Sequence, residues 1–186
     1  SVENTQILVE LRDYLNETYG FCITTLSGGS TCTLGLLEAG TLPAGINQLR
    51  VGEGVLFGED TTGSRFLEGC HHDAFTFRAQ VVELRRKPSV PIGEHGRDGK
   101  GDTPEYPDRG VRLRAICAAG KQDVAWAALT PTLPGAWMIG ASSDHLIVDV
   151  EDCGGQVRVG DWMEFRCGYM AVLDATTSAY VDIVVK

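Results

Sequence analysis

The chain has 186 residues, 43% hydrophobic and 22% charged, as expected for a globular protein that can bury a sizeable core. Its formal net charge of −9 argues against nucleic acid or an anionic membrane as a partner, since either would require a basic surface. The sequence shows neither an apolar run of membrane-spanning length nor a signal-peptide pattern, so we expect a cytoplasmic protein.

Residues 1 to about 58 alternate helix and strand signals. Apolar residues recur at helical spacing in TQILVELRDYLNETYG, where Gly20 supplies a C-terminal stop. Short strands are predicted at 21–26 and 46–51, separated by a glycine-rich turn and a second helix that Gly40 closes. This order is typical of parallel α/β architecture. Because two parallel strands do not make a stable sheet, we expect these units to end a longer α/β barrel.

After Gly58, apolar residues alternate with polar ones, as in half-buried antiparallel strands. We therefore predict an α+β protein, in which residues 1–58 are the last strand–helix units of an α/β barrel and residues 59–186 form an all-β barrel or sandwich domain. A long loop, rich in Gly, Pro and Asp, interrupts that domain at 91–110. Its predicted strands lie at 75–81, 111–117, 146–150, 162–167 and 180–185.

The six cysteines show no C-x-x-C spacing, and most lie in apolar segments. We therefore expect buried free thiols rather than disulfides. The run Cys70-His71-His72-Asp73 could suggest a metal site, but neighbouring residues on an extended chain point to opposite faces and no second ligand cluster stands out. No metal site is predicted.

The turn at residues 27–31, Ser-Gly-Gly-Ser-Thr, follows a predicted strand and opens a predicted helix. Glycines let the backbone approach a ligand closely, hydroxyls donate hydrogen bonds, and a helix N-terminus offers unpaired N–H groups. These features suggest a phosphate cradle, although the lysine of a P-loop and the spacing of a dinucleotide fingerprint are missing. The alternative is a helix start capped by Ser or Thr, which the residues by themselves slightly favour.

A second turn of this kind follows the next predicted strand, at Arg50-Val51-Gly52-Glu53. In an α/β barrel the C-terminal ends of the strands face the active site. Arg50, beside a glycine that exposes its backbone, could contact an anion or a heterocycle nitrogen; the alternative is a surface arginine in an ion pair. Two such turns on consecutive strands favour a ligand site more than either does alone.

Two loops of the second part carry polar and titratable side chains. Glu94 and His95 lie in a glycine-flanked segment and are either an acid–base element or a solvated polar loop, with about equal weight. Ser143, Asp144 and His145 precede a predicted strand, but adjacent residues cannot converge as a hydrolase triad, and no G-x-S-x-G motif occurs. An Asx or Ser turn at the strand start is the simpler interpretation.

Taken together, these segments resemble the alanine/ornithine racemase family of pyridoxal-phosphate enzymes, fold type III, and its ornithine-racemase-like branch in particular. The matching stretches occur in the family's order along nearly the whole chain: LSGGSTCTL, INQLRVGEGVLFG, HHDAFTFRAQVVELRRKPSVPIGEHGRDG, DRGVRLRAI, GASSDHLIVDV and ATTSAYV. The resemblance implies an N-terminal (β/α)8 barrel, whose last units are residues 1–58, followed by a β domain. It also implies an amino-acid substrate and a head-to-tail homodimer in which the partner's β domain completes each active site.

The resemblance assigns roles to individual residues as well. Arg50 would lie against the pyridine nitrogen of pyridoxal phosphate and keep it unprotonated. Ser143 and Asp144 would approach the substrate carboxylate from the partner subunit. The groups that would bind the cofactor phosphate come from the two turns and from one tyrosine: Gly28, Gly29, Ser30, Thr31, Gly52, Glu53 and Tyr180.

Two departures from the family pattern bear on catalysis. Where classical alanine racemases have a Gly-Tyr pair whose tyrosine is the second catalytic base, this sequence has Gly93-Glu94-His95, so Glu94 or His95 would take that role. His95 is preferred because imidazole titrates near neutral pH. The family's Schiff-base lysine lies upstream of every segment found here, and none of the lysines present has its context, so this chain alone should not racemise an amino acid.

The leading hypothesis is therefore the C-terminal part of a pyridoxal-phosphate-dependent racemase, which abstracts and returns the Cα proton of alanine, ornithine or a related amino acid. The alternative is a non-catalytic β domain that dimerises or binds a partner. Stable binding of pyridoxal phosphate would separate the two.

Overall fold

The computed structural model describes residues 2–60, 65–93 and 107–185 of the chain. These residues belong to two compact units, Ser1–Ala74 and Phe75–Lys186. The domain boundary expected after residue 58 stays a prediction.

The first unit contains, among its described residues, a long helix followed by short helices and strands. The helices are α1 (Val2–Tyr19), α2 (Leu34–Glu38), which a 3-10 turn (Thr31–Thr33) precedes, and α3 (Glu53–Phe57). The strands are β1 (Ser27–Ser30) and β2 (Gln48–Arg50), which pair in parallel, and β3 (Glu59–Asp60) and β4 (Arg65–Phe66), which pair antiparallel. The predicted helix–strand alternation is thus confirmed for this unit.

α1 forms as predicted and ends before Gly20, whose φ of 67° stops the helix. Its apolar stripe, however, is largely exposed among the described residues of its unit: Ile7 is 59% and Leu11 is 49% exposed. The buried positions of α1 are Thr5 and Val9 instead. The periodicity thus predicts the helix correctly, while the described residues leave its apolar face open.

The first predicted strand lies in a different place. Residues 21–26 form no strand, and β1 begins inside the predicted glycine-rich turn. Two asparagine side chains bond this backbone: Asn16 Oδ1 accepts the N–H of Ile23 at 2.9 Å, and Asn47 Oδ1 accepts the N–H of Leu26 at 2.8 Å. The strand prediction for 21–26 is wrong because these amides supply the hydrogen bonds that a neighbouring strand would otherwise provide.

The second unit is built on an antiparallel sheet of six strands within the described residues. The strands are β5 (Thr76–Pro88), β6 (Val111–Cys117), β7 (Leu129–Pro131), β8 (Trp137–Ala141), β9 (Leu146–Asp149) and β10 (Trp162–Cys167), and α4 (Tyr169–Thr177) follows them. Their order in the sheet is β7-β10-β5-β6-β9-β8, and the edge strands β7 and β8 contact each other, so the sheet closes almost completely into a barrel. This confirms the predicted β barrel.

The barrel interior follows from the period-two pattern. Phe77, Ala79 and Val81 of β5 are buried while their neighbours are exposed, and Met163 and Phe165 alternate in the same way on β10. The two strands pair so that Phe165 lies opposite Phe77 and Met163 opposite Ala79, which puts these side chains on one face. Further core residues come from the neighbouring strands and turns: Ala115, Cys117, Val124, Leu129, Leu146, Val148, Val150, Cys153 and Val157.

Two features of the second unit differ from the sequence prediction. The strand predicted at 180–185 is wrong, since this segment forms no strand and Val185 is 92% exposed. The helix α4, which precedes it, was not expected. An alternating apolar pattern needs a neighbouring strand to become part of a sheet, and the sheet of the described residues ends at other strands.

The six cysteines all lie within the described residues and are free. Cys117 and Cys153 are buried, as expected, and Cys167 is partly buried. The expectation is wrong for three exposed thiols, which lie in the first unit: Cys22, Cys32 and Cys70. No helix in the described part of the chain is long and apolar enough to cross a membrane.

Candidate functional site

The predicted phosphate turn consists of β1 and the 3-10 turn that follows it. Because β1 and β2 are parallel and Ser30 lies opposite Arg50, both strands end at the same edge. Gly28 is buried, whereas the side chain of Ser30 is exposed. Gly29 has a φ of 123°, and a Cβ at this residue would lie 2.6 Å from Thr33 Oγ1. Only glycine therefore fits at this position, which explains the Gly-Gly pair on structural grounds.

Thr31 joins the two predicted turns. Its side chain is only 5% exposed, and its hydroxyl accepts the N–H of Gly54, in the first turn of α3, at 3.2 Å. Thr33, also buried, donates from Oγ1 to the carbonyl of Gly28 at 3.0 Å. The two threonines thus fix the backbone of the first turn and the start of α3 against each other. This link between residues 23 positions apart has no signal in the sequence.

Arg50 ends β2 with an exposed side chain, and its Nη1 donates to the Ser27 hydroxyl. This hydrogen bond places the positive charge of Arg50 beside the hydroxyl groups of the first turn. Gly52 is exposed, and a Cβ at this position would meet open space. Glu53 is the first residue of α3. The two predicted turns therefore meet at one edge and present hydroxyl and guanidinium groups there.

Cys32 lies two residues after Ser30, and the Ser30 hydroxyl lies 3.4 Å from its Sγ. The hydrogen bond from Ser30 lowers the pKa of the Cys32 thiol, against the opposing effect of partial burial, and Thr33 adds a smaller contribution in the same direction. The apolar segments around the cysteines predict buried thiols, so an exposed thiol at Cys32 was not expected.

The second candidate group is the turn between β8 and β9. Ser142 Oγ accepts the N–H of His145 at 3.0 Å, so the segment forms the Ser turn expected at a strand start. Ser143 Oγ donates to Asp144 Oδ2 at 2.6 Å, and Gln122 Nε2 donates to Asp144 Oδ1 at 2.7 Å. Asp144 is exposed, with both of its carboxylate oxygens hydrogen-bonded. The contribution of Gln122 comes from a distant loop and was not predicted.

Tyr180, another predicted site residue, lies beyond α4 with 81% of its surface exposed. Glu94 and His95 lie outside the described residues. The described ends of their segment are joined, since Ser89 N donates to the carbonyl of Gly110 at 2.8 Å.

A buried ion pair links β6 to β9. Arg112 donates from Nε to Asp149 Oδ2 at 2.9 Å and from Nη2 to Oδ1 at 3.0 Å, and it also contacts the exposed Asp152. Burial opposes ionisation of Asp149, but the hydrogen bonds from Arg112 and from the Glu151 N–H outweigh it, with the charges of Arg112 and Arg109 adding to them, so the pKa of Asp149 is lowered. The pKa of Arg112 is raised by the same carboxylates. This pair joins two neighbouring strands of the barrel and contains no predicted site residue.

Two other features of the described residues carry no predicted site residue. An open groove of about 620 Å³ on the second unit is lined by Arg78, Trp162 and Glu164, among others. Around Cys70, the ring of His72 packs on Phe66 at 4.2 Å. No group of three His, Cys, Asp or Glu side chains suited to a metal ion occurs in the described part of the chain.

No protein-family profile matches the chain. The chain is 43% identical to the lysine racemase of Thermotoga maritima and 42% identical to the ornithine racemase of Acetoanaerobium sticklandii, over 180 residues in each case. Both alignments cover 97% of this chain and 51% of the relative, so the chain spans about half the length of the curated relatives it matches.

Solved structures of similar fold include the D-threonine aldolase of Filomicrobium marinum, with a TM-score of 0.57 and 15% identity, covering 94% of this chain and 38% of that one. They also include the alanine racemase of Bartonella henselae with covalently bound pyridoxal phosphate, with a TM-score of 0.54 and 18% identity, covering 95% of this chain and 47% of that one. At these identities the likeness shows the fold. Together with the sequence identity to the two racemases, it confirms the resemblance: the chain belongs to the alanine/ornithine racemase family and corresponds to the C-terminal part of its members.

Proposed function

We propose that this chain is part of a pyridoxal-phosphate-dependent racemase that abstracts and returns the Cα proton of a basic amino acid, lysine or ornithine. The observation that carries the proposal is the pair of turns at one edge of β1 and β2, where Ser30 lies opposite Arg50 and Thr31 binds the start of α3. The substrate class is supported by identities of 43% to a lysine racemase and 42% to an ornithine racemase.

The residues at this edge fit a phosphate monoester. Phosphate is bound in proteins by hydroxyls, backbone N–H groups and guanidinium groups. The edge offers the exposed Ser30 hydroxyl and the backbone of Gly28, Gly29, Gly52 and Glu53. Because Thr31 is buried, we assign its side chain to holding the two turns together, and we expect the other groups to make most of the phosphate contacts. Tyr180 would add its hydroxyl to the phosphate in the assembled enzyme.

Pyridoxal phosphate, when bound, supplies an electron sink that stabilises negative charge at the substrate Cα. The Arg50 guanidinium would donate a hydrogen bond to the pyridine nitrogen; because a guanidinium has no acceptor, that nitrogen must be the acceptor and so stays unprotonated. Ser143 and Asp144 would orient the substrate from the partner subunit of a homodimer. Glu94 or His95 would hold and return the proton on one face of Cα, with His95 preferred.

The test uses the full-length protein that carries this sequence and the variant Ser30→Ala, with Thr41→Ala, an exposed hydroxyl away from the two turns, as its control. We expect the wild type to interconvert the enantiomers of lysine and ornithine faster than those of alanine. We expect Ser30→Ala to weaken pyridoxal phosphate binding about tenfold, by loss of a hydrogen bond to a charged group. Binding of pyridoxal, which has no phosphate, should not change.

Absence of both cofactor binding and racemisation in the full-length protein would contradict the proposal and favour a non-catalytic β domain that dimerises or binds a partner. Equal weakening of pyridoxal and pyridoxal phosphate by Ser30→Ala would contradict the assignment of this turn to the phosphate.

A further inference from the structure

We propose that Gln122 is a positioning residue for substrate recognition, because its side-chain amide orients Asp144. The inference rests on the proposed function, in which Ser143 and Asp144 approach the substrate. It adds a residue from a separate loop, the turn that follows β6, to the substrate-facing group.

The carboxylate of Asp144 is held from two sides. Gln122 Nε2 donates to Oδ1 at 2.7 Å, and Ser143 Oγ donates to Oδ2 at 2.6 Å. Since each oxygen has its own donor, the carboxylate cannot rotate without losing one of two short, charge-assisted hydrogen bonds. Ser143 is the neighbour of Asp144 and moves with the same turn. Gln122 comes from a different loop, so its hydrogen bond fixes the orientation of the Asp144 carboxylate relative to the rest of the domain.

The backbone of the Gln122 loop is fixed against the same turn. Gln122 N donates to the carbonyl of Ser143 at 3.1 Å, and Lys121 N donates to the carbonyl of Ser142 at 2.9 Å. At Gly120 the two segments approach so closely that a Cβ would lie 2.2 Å from the carbonyl oxygen of Ser143. The two loops therefore form one hydrogen-bonded layer rather than two independent tips.

The Gln122 loop is itself anchored in the barrel. Val124 is fully buried in the core, and Asp123, 7% exposed, accepts the N–H of Gly120 at 2.9 Å. The amide of Gln122 thus projects from a rigid base onto an exposed carboxylate at a hairpin tip. Without the Gln122 hydrogen bond, the Asp144 side chain would sample more rotamers, and ordering this side chain would cost entropy when the substrate binds.

The experiment compares Gln122→Ala and Gln122→Glu in the full-length enzyme, with the exposed Gln156→Ala as the matched control. An interaction made equally in the bound and transition states affects KM and leaves kcat unchanged. We expect Gln122→Ala to raise KM for the amino acid about fivefold, with kcat within about twofold of wild type. Gln122→Glu keeps the size but replaces the donor by a second carboxylate, and should raise KM further. A role in packing alone would leave Gln122→Glu close to wild type.

A double-mutant cycle with Asp144→Ala gives the decisive result. If Gln122 acts through Asp144, Gln122→Ala should change KM by less than about twofold when Asp144 is already absent. An equal rise in KM in both backgrounds, or no rise in either, would overturn the assignment. Hydrogen exchange of the peptide covering residues 141–146 gives a readout independent of activity: we expect faster exchange in Gln122→Ala, and unchanged exchange would also count against the proposal.

Failure of the proposed function and failure of the positioning role of Gln122 give different results. A wild-type protein that racemises none of lysine, ornithine and alanine overturns both. An active wild type in which Asp144→Ala raises KM, while the Gln122 variants do not, overturns the positioning role alone.

Discussion

At the scale of single residues, the Asp149 carboxylate makes a pH-dependent contribution to stability. Its pKa is lowered in the folded protein from the ordinary value of 3.8, mainly because the Arg112 hydrogen bonds outweigh the effect of burial. A group whose folded pKa is lowered stabilises the fold above the unfolded pKa, and this contribution is lost as pH falls through the folded pKa. The affected window therefore lies below about pH 4.

We expect Asp149→Asn to lower the free energy of unfolding of the second unit at neutral pH, and the difference from wild type to shrink as the pH falls below about 4. Urea unfolding followed by tryptophan fluorescence reports on this unit alone, because Trp126, Trp137 and Trp162 all belong to it. Asp152→Asn, an exposed partner of the same arginine, is the control and should have the smaller effect. A difference that stays constant from pH 7 to pH 3 would contradict the prediction.

The cysteine thiols should differ in reactivity because their exposure and their pKa values differ. Cys32 is exposed with a lowered pKa, whereas burial raises the pKa of Cys117 to about 12. Because the thiolate is the reactive form, we expect iodoacetamide to modify Cys32 at least tenfold faster, to the order of magnitude, than Cys117 at neutral pH. Peptide mass spectrometry measures both rates in one sample, and labelling in urea should remove the difference. Similar rates in the folded protein would contradict the predicted difference between the exposed and the buried thiol.

At the scale of elements, β10 contributes large buried side chains to the barrel core. Phe165 is fully buried and lies opposite Phe77 of β5, with ring centroids 6.4 Å apart. Deleting its ring removes transfer free energy and leaves a cavity, so we expect Phe165→Ala to lower the free energy of unfolding by about 3–5 kcal/mol. Val82→Ala, on the outer face of β5, should cost less than about 1 kcal/mol.

Urea unfolding of the second unit, followed by the same tryptophan signal, checks this prediction. A cost of Phe165→Ala no larger than that of Val82→Ala would mean that β10 does not contribute this face to the core.

The elements also show where sequence patterns stop being informative. Strands with regular alternation, such as 111–117 and 162–167, are predicted with the bounds that the structure has. The segment at 21–26 is apolar enough for a strand, yet Asn16 and Asn47 bond its backbone. Whether an apolar segment joins a sheet depends on which partner is nearest, and that partner can be a side chain far away in sequence.

At the scale of the whole molecule, the proposed homodimer makes a prediction about mixed subunits. If each active site takes its phosphate turn from one chain and Asp144 from the other, a dimer of Arg50→Ala and Asp144→Ala chains contains one intact site. At substrate concentrations well below the raised KM of Asp144→Ala, random pairing of the two variants should then add about a quarter of wild-type activity to the residual activity of the separate variants. Racemisation by co-expressed full-length chains measures it.

The control mixture pairs Arg50→Ala with Ser30→Ala. Both changes lie at the same edge, so no mixed dimer has an intact site, and the mixture should be no more active than the average of the two variants alone. A mixed dimer of Arg50→Ala and Asp144→Ala that regains nothing, with its composition verified by mass spectrometry, would contradict sites shared between subunits.

The sequence by itself determined the α+β class, the barrel strands with regular alternation, the family and the residue types of the two turns. These features depend on local periodicity and on motifs that are contiguous in the chain. Only the tertiary structure decided that Arg50 bonds Ser27, that Thr31 bonds Gly54 and that Gln122 bonds Asp144, pairs separated by 22 or 23 residues. Such pairs arise from how strands and loops pack, and a buried hydroxyl or an amide near a carboxylate has no periodic signature. The tertiary structure likewise decided that the described residues of the first unit leave much of the apolar face of α1 exposed, because burial depends on the neighbouring elements and not on the helix alone.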